Sequence, residues 1–135
     1  MKRKILRIIN WEYFWLCLCL LITLGMHLSI VTQVNELILD EAHYVKNARS
    51  IILTQVDQRP EHPPLAKLFI VAGIDILGDN PWGWRVPCII MGTISIALLY
   101  IICRRLGMSK RGASIAAALF SFDNFAFTIA SVAML

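Results

Sequence analysis

Two neighbouring carboxylates, Asp40 and Glu41, are the residues of this sequence best suited to acid or base chemistry. On a helix the side chains of adjacent residues diverge by about 100°, so these two cannot form one tight carboxylate pair. We therefore expect different roles. One can accept a proton from a substrate hydroxyl, while the other binds a cation, a metal ion or a neighbouring helix. Spacing alone favours the simpler alternative, a solvated acidic start of a helix.

Two histidines lie near these carboxylates in the sequence. His43 follows Asp40 by three residues and shares its helical face, so the carboxylate could orient the imidazole. A divalent metal ion held by Asp40, Glu41 and His43 is a second hypothesis. His62 precedes Pro63, which favours an extended backbone at the histidine. A single loop histidine is more often exposed than catalytic.

Three cations, Arg49, Lys67 and Arg85, lie close to apolar stretches, where a lipid-linked phosphate would lie. Arg85 opens one of these stretches, and a guanidinium can bind a phosphate through two N–H groups. The alternative for Arg85 is contact with lipid headgroups. The three cations are therefore candidates for substrate binding.

The composition indicates the class of protein that must position these residues. Hydrophobic residues make up 58% of the 135-residue chain and charged residues 16%, and the mean hydropathy is +0.66. These values favour a membrane protein. The net charge is +4, but the basic residues stand in separate groups beside apolar sequence, so we expect no nucleic-acid binding. The four cysteines lack metal-binding spacing, which predicts free thiols.

Three apolar stretches predict three transmembrane helices, at about residues 11–31, 86–103 and 113–135. The first has no clear small-residue cleavage site, which favours an uncleaved anchor over a signal peptide. Basic residues precede the first stretch and occupy the turn at about 104–112. The positive-inside rule then places the amino terminus and this turn in the cytoplasm and residues 32–85 outside.

The outer segment and the third stretch carry further local signals. Helical spacing of apolar residues predicts a helix that begins at Asn35 or Glu36, ends near Val56 and lies on the membrane surface. A second short helix is expected over 65–77, with two prolines at its start. In the third stretch Asp123 needs a partner inside the membrane, such as Asn124 or another helix.

Four segments in this order resemble the amino-terminal part of the protein O-mannosyltransferase family, whose wider relatives include the aminoarabinose lipid A transferases. The segments are Asp-Glu-Ala-His-Tyr at 40–44, Pro-Glu-His-Pro-Pro-Leu-Ala-Lys at 60–67, Gly-Asp-Asn-Pro-Trp-Gly-Trp-Arg at 78–85 and Phe-Asp-Asn at 122–124. The order of the set is far more specific than any single segment.

The resemblance implies a membrane glycosyltransferase of the GT-C type that uses a polyprenyl-phosphate-linked sugar as donor. By the same resemblance, Asp40 matches the catalytic base and Glu41 its companion. His62 belongs to the segment that shapes the loop and, with Lys67 and Arg49, is a substrate-binding candidate. Arg85 matches a basic position suited to steadying the phosphate leaving group. No redox cofactor is required, because the phosphate is already the leaving group.

The sequence as a whole therefore predicts an all-α membrane protein. We expect one domain over 1–135, with three transmembrane helices and short amphipathic surface helices in the first outer loop, as the amino-terminal part of a GT-C fold. The predicted activity transfers a sugar, mannose by resemblance, to a protein Ser or Thr hydroxyl or to a lipid acceptor, on the outer face of the cell membrane. Relatives continue through more spans, so we expect these 135 residues alone to be inactive.

The alternative is a noncatalytic small membrane protein or accessory subunit. Such a protein would pair with other helices through the small residues Gly92, 116–118 and Ser121.

Overall fold

The computed structural model describes residues 13–38, 40–57, 60 and 64–133, and within them the chain is helical and contains no strand. The all-helical prediction is confirmed for this part of the chain. The six helices are α1 (Phe14–Ile30), α2 (Glu41–Thr54), α3 (Pro64–Leu77), α4 (Pro81–Arg105), α5 (Lys110–Ser121) and α6 (Asn124–Ser131).

Helix α4 is the one described helix that is long and apolar enough to cross a membrane by itself, judged by length and composition. Its start is set locally, because the Asn80 side chain accepts hydrogen bonds from the N–H groups of Trp82 and Gly83 at 2.9 and 3.4 Å. Pro81 then occupies the first helical turn, where no N–H donor is needed. Its last turn carries two arginines, whose positive charges interact favourably with the negative end of the helix dipole.

The third apolar stretch is not the single helix that the sequence predicts. Helices α5 and α6 meet at an angle of 60°. The break has a physical cause at Asp123, whose backbone is extended and whose carboxylate accepts the Ala126 N–H at 2.9 Å. Asp123 therefore satisfies its carboxylate at the start of α6 rather than on Asn124 or another helix. The bent pair has the composition of one broken span, and α1 is a shorter apolar helix.

The outer segment also begins differently from the prediction. Helix α2 begins at Glu41, so a start at Asn35 or Glu36 is wrong. In the segment before it, the carbonyl oxygens of Val34 and Glu36 accept hydrogen bonds from Arg85. Helix α3 agrees with the predicted helix over 65–77 and begins one residue earlier.

Two apolar cores lie along α4, one near each end of the helix. Trp84 and Cys88, near its amino end, pack with Val45, Ala48, Ile70, Ile74 and Ala133. Ile96, Tyr100 and Cys103, near its carboxyl end, pack with Leu16, Ala113 and Ala117. The four cysteines are free thiols, as predicted. Helix α4 therefore packs with α2 and α3 near its amino end and with α1 and α5 near its carboxyl end.

Helices α3 and α4 form a close-packed hairpin. Gly78 in the turn has a positive φ of 86°, which glycine adopts without strain. Gly73 of α3 lies directly against Gly83 and Pro87 of α4, so that a Cβ at position 73 would overlap the Gly83 carbonyl oxygen and lie 2.5 Å from Pro87 Cγ. The hairpin thus depends on the absence of a side chain at Gly73.

Replacing Gly73 by Ala should destabilise the protein, because the new methyl group overlaps α4. We expect a loss of about 1–3 kcal/mol in the free energy of unfolding, seen as a lower midpoint of thermal unfolding in detergent. Gly25→Ala is the matched control, since Gly25 also lies inside a helix and a Cβ there meets nothing within 4 Å. Both variants gain the same helix preference, so equal midpoints would contradict the close contact.

Candidate functional site

A buried ion pair between Glu41 and Arg85 joins the start of α2 to the first turn of α4. Arg85 Nε donates to Glu41 Oε1 at 2.9 Å, and Arg85 Nη2 donates to Glu41 Oε2 at 2.8 Å. Arg85 is 2% exposed and Glu41 0%. This two-bonded geometry is the strongest form of a guanidinium–carboxylate contact.

The remaining donors and acceptors of the pair are satisfied by backbone groups. Arg85 Nη1 donates to the carbonyls of Val31 and Val34, both at 2.7 Å, and Nη2 donates to that of Glu36 at 3.1 Å. Every N–H of the guanidinium is thus used. The carboxylate of Glu41 in turn accepts the backbone N–H groups of Ile38 at 3.2 Å and Ala133 at 3.0 Å. The pair therefore joins three separate stretches of the chain: the connector that leads from α1 into α2, the amino-terminal part of α4 and the residues after α6.

Glu41 is ionised in this setting. Burial alone would raise its pKa, but the hydrogen bonds from Arg85, Ala133 and Ile38, together with the charge of Arg85, outweigh burial and hold the pKa below its ordinary value. A buried charge pair with all partners present is tolerated, whereas removal of one partner leaves an uncompensated charge.

Asp40 occupies the residue immediately before α2, and its side chain takes a different direction from that of Glu41. Asp40 is exposed, and its carboxylate makes no capping hydrogen bond to α2. The expected divergence of the two carboxylates is confirmed, with Glu41 inside and Asp40 at the surface. The catalytic roles predicted for them stay predictions.

His43 is also exposed, at the first turn of α2. Among residues 13–38, 40–57, 60 and 64–133, no three His, Cys, Asp or Glu side chains are grouped so as to hold a metal ion. Both oxygens of Glu41 are engaged by Arg85 and backbone N–H groups. The proposed metal set of Asp40, Glu41 and His43 is therefore not assembled in this conformation, and a divalent metal stays a hypothesis.

Arg49 is paired with Asp79 in the turn before α4. Its Nε and Nη2 donate to the two carboxylate oxygens at 2.7 and 2.9 Å. The guanidinium also lies over the Trp84 ring, 5.4 Å from the centroid, and Trp84 Nε1 donates to Asp79 at 2.6 Å. Hydrogen bonding from Arg49 holds the pKa of Asp79 below its ordinary value.

Lys67 is buried, with 1% exposure, and its Nζ donates to both oxygens of Asp57 at 2.9 and 2.7 Å. Asn47 of α2 donates to the same carboxylate at 2.7 Å. These bonds attach the segment after α2 to α3. His62 lies outside the described residues.

The three cations that the sequence nominates for substrate binding are thus all paired with carboxylates. Direct contact of Arg49, Lys67 or Arg85 with a phosphate stays a prediction, and it would require release from the present partner. Sequence reasoning missed Asp57 and Asp79, because no local pattern links an acid to a cation 10 or 30 residues away.

Comparison with known proteins identifies the family of this chain. Residues 61–134 match the family model described as dolichyl-phosphate-mannose-protein mannosyltransferase. The chain belongs to this family. The family assignment from the four ordered segments is therefore confirmed. The family is one of mannosyltransferases.

Two curated relatives, both named polyprenol-phosphate-mannose–protein mannosyltransferase, support the assignment to the mannosyltransferase family. The protein of Mycobacterium tuberculosis (strain CDC 1551 / Oshkosh) is 32% identical over 120 residues, which cover 84% of this chain and 23% of that protein. The protein of Corynebacterium glutamicum is 32% identical over 111 residues, covering 72% of this chain and 21% of that protein. The chain thus spans less than a quarter of the length of these relatives. No solved structure shows a significant match.

Arg85→Met should be far more damaging than Arg49→Met. The first change leaves Glu41 buried without its cation and should cost about 3–5 kcal/mol of unfolding free energy. The second removes a half-exposed pair and should cost about 1 kcal/mol or less. Both can be measured by thermal and denaturant unfolding of the purified protein in detergent. Similar losses in the two variants would show that burial of the pair is not what makes Arg85 important.

Proposed function

We propose that this chain contributes the first outer loop of a membrane mannosyltransferase, with Asp40 as the general base. The observation that carries the proposal is the exposed carboxylate of Asp40 beside the buried, fully hydrogen-bonded Glu41, in a chain of this family. Because Glu41 is held from several sides, the start of α2 is fixed, and the direction of Asp40 is fixed with it. A base held in this way is suited to proton transfer.

The proposed donor is a polyprenyl-phosphate-linked mannose, and the acceptor is a Ser or Thr hydroxyl of a protein. Asp40 takes the hydroxyl proton while the acceptor oxygen forms a bond to the anomeric carbon of mannose. The bond from that carbon to the phosphate oxygen breaks, and polyprenyl phosphate leaves with the bonding electron pair. Cations near the phosphate stabilise its developing charge. The curated relatives are named for the same donor class and for a protein acceptor.

Within this proposal Arg85 acts on Asp40 through Glu41. Its guanidinium has no N–H group left for a phosphate in this conformation. Arg49, Lys67 and His62 are the other candidates for contact with the donor. Of the two that the structure describes, Arg49 is the more exposed.

Asp40→Asn in the complete gene product should lower mannose transfer about a hundredfold or more, because the amide cannot accept the hydroxyl proton. The assay supplies radiolabelled polyprenyl-phosphate-mannose to membranes and separates labelled protein from labelled lipid. Asp75→Asn is the matched control, since Asp75 is an exposed carboxylate on α3 and the chemical change is the same.

Undiminished transfer by Asp40→Asn would overturn the assignment of the base. Label that enters lipid and not protein would contradict the protein acceptor. Equal amounts of both variants in the membrane show that a loss of transfer is not a loss of protein.

The proposed topology has three spans, formed by α1, by α4 and by the bent pair of α5 and α6. The membrane is the plasma membrane, and the amino terminus lies on its cytoplasmic side. Its support is the arrangement around α4. Helices α2 and α3 lie at its amino end, while four basic residues occupy the turn at its carboxyl end: Arg104, Arg105, Lys110 and Arg111. The positive-inside rule places that turn in the cytoplasm and Asp40 on the opposite face.

Cysteine labelling tests this topology at two exposed positions, Lys46 on α2 and Leu106 after α4. A membrane-impermeant maleimide should modify Lys46→Cys in intact cells and should modify Leu106→Cys only after permeabilisation. The unsubstituted protein, with its four cysteines in helices α1 and α4, gives the background. The reverse pattern would invert the topology and contradict the proposed face of the reaction.

A further inference from the structure

A histidine inside the apolar helix α1 makes a specific contact with α6. His27 is 2% exposed, and its Nδ1 lies 2.9 Å from Ser131 Oγ. The imidazole also stacks on the Phe127 ring, with centroids 4.1 Å apart and an angle of 13° between the planes. Polar side chains in such a helix are costly and face a partner, and here the partner lies across the helix interface.

The direction of this hydrogen bond follows from the other bond that Ser131 makes. The Ser131 hydroxyl donates its single proton to the Phe127 carbonyl at 2.7 Å. It must therefore accept from His27, which assigns the imidazole proton to Nδ1. The contact is an N–H to hydroxyl bond that holds the last residue of α6 against α1.

Ser131 is two residues from a group that binds Glu41. After α6 the chain becomes extended at Val132, and the Ala133 N–H then donates to Glu41 Oε1 at 3.0 Å. Val132 and Ala133 are buried, as is Glu41. A shift of the end of α6 would therefore move a hydrogen-bond donor away from the carboxylate beside Asp40.

Helix α6 needs this support from outside itself. It has eight residues and is bent 60° from α5, and a helix of this length is not stable alone. Near its carboxyl end it is held by His27 and by the packing of Ala130 against Gly92 of α4, where an added Cβ would lie 2.5 Å from Ala130 Cβ. His27 supplies the directional part of that contact.

We propose that His27 is a positioning residue for the transfer reaction: through Ser131 and the Ala133 N–H it holds Glu41, and with it Asp40, in place. This inference rests on the proposed role of Asp40. It adds to that role a residue of α1 that does not touch the reacting groups.

Two substitutions at His27 separate the hydrogen bond from the ring packing. His27→Phe keeps an aromatic ring against Phe127 and loses the donor, whereas His27→Asn keeps a donor near the Nδ1 position and loses the ring. If the hydrogen bond positions Glu41, kcat for mannose transfer should fall about five- to tenfold in His27→Phe. The KM for the donor should not change, and His27→Asn should retain kcat within about twofold.

Ser131 and Ser29 supply the partner and control variants. Ser131→Ala should lower kcat as His27→Phe does. The double variant should have the same kcat as either single variant, because both substitutions remove the same hydrogen bond. Ser29→Ala is the control, since Ser29 is exposed on α1 and its hydroxyl donates to the Met26 carbonyl of the same helix. Full kcat in His27→Phe, loss of kcat in His27→Asn alone, or a rise in KM at unchanged kcat would overturn the proposal.

Amide hydrogen exchange gives a readout that does not depend on transfer. In detergent, the peptide containing Ala133 should exchange about fivefold faster in His27→Phe than in the unsubstituted protein or in Ser29→Ala. Peptides from the middle of α4 should be unchanged, which shows that the variant is folded. Unchanged exchange at Ala133 would overturn the link to His27. If the unsubstituted protein transfers no mannose, the proposed function fails, while the exchange result still decides whether His27 holds Ala133.

Discussion

The buried pair of Glu41 and Arg85 is the interaction on which the arrangement of α2 and α4 depends. Removing two charges from water is costly, and their attraction offsets that cost only when every other donor and acceptor is satisfied. Here the backbone supplies those partners from the connector between α1 and α2 and from Ala133 after α6. The pair therefore holds the start of α2, the connector before it and Ala133 together near the amino end of α4.

This constraint explains how two adjacent carboxylates come to lie in different surroundings, one buried and one exposed. A helix turns about 100° per residue, so a neighbour of the buried Glu41 cannot also be buried in the same contact. Asp40 is directed to the surface for that geometric reason and not through contacts of its own. The exposed Asp40 carboxylate meets the geometric requirement of the general base proposed above.

The remaining cations of the outer segment have a comparable structural effect. Arg49 with Asp79 ties α2 to the turn before α4, and Lys67 with Asp57 ties the segment after α2 to α3. The Gly73 contact closes the hairpin of α3 and α4. His27 of α1 is hydrogen-bonded to Ser131 at the end of α6. The start of α2 is thus in contact with α4 through Arg85 and with the residue after α6 through the Ala133 N–H.

The sequence by itself determined the local elements and the family. Asn80, the prolines at the starts of α3 and α4, and the long apolar run of α4 act within one or two turns of chain, so their effects can be predicted from neighbouring residues. The ordered segments from residue 40 to residue 124 likewise sufficed for the mannosyltransferase family. Even the divergence of Asp40 and Glu41 follows from helix geometry.

Only the tertiary structure decided the partners. In the sequence Arg49, Lys67 and Arg85 look alike as possible phosphate ligands, and each is bound instead to a carboxylate that no local rule selects. The segment before α2 is not helical, and its carbonyl groups bind Arg85 about 50 residues further along. The contact of Glu41 with Ala133 joins groups 92 residues apart. Burial and long-range hydrogen bonds arise only when helices pack, and for that reason the divergence of Asp40 and Glu41 could be predicted while the partners of Glu41 could not.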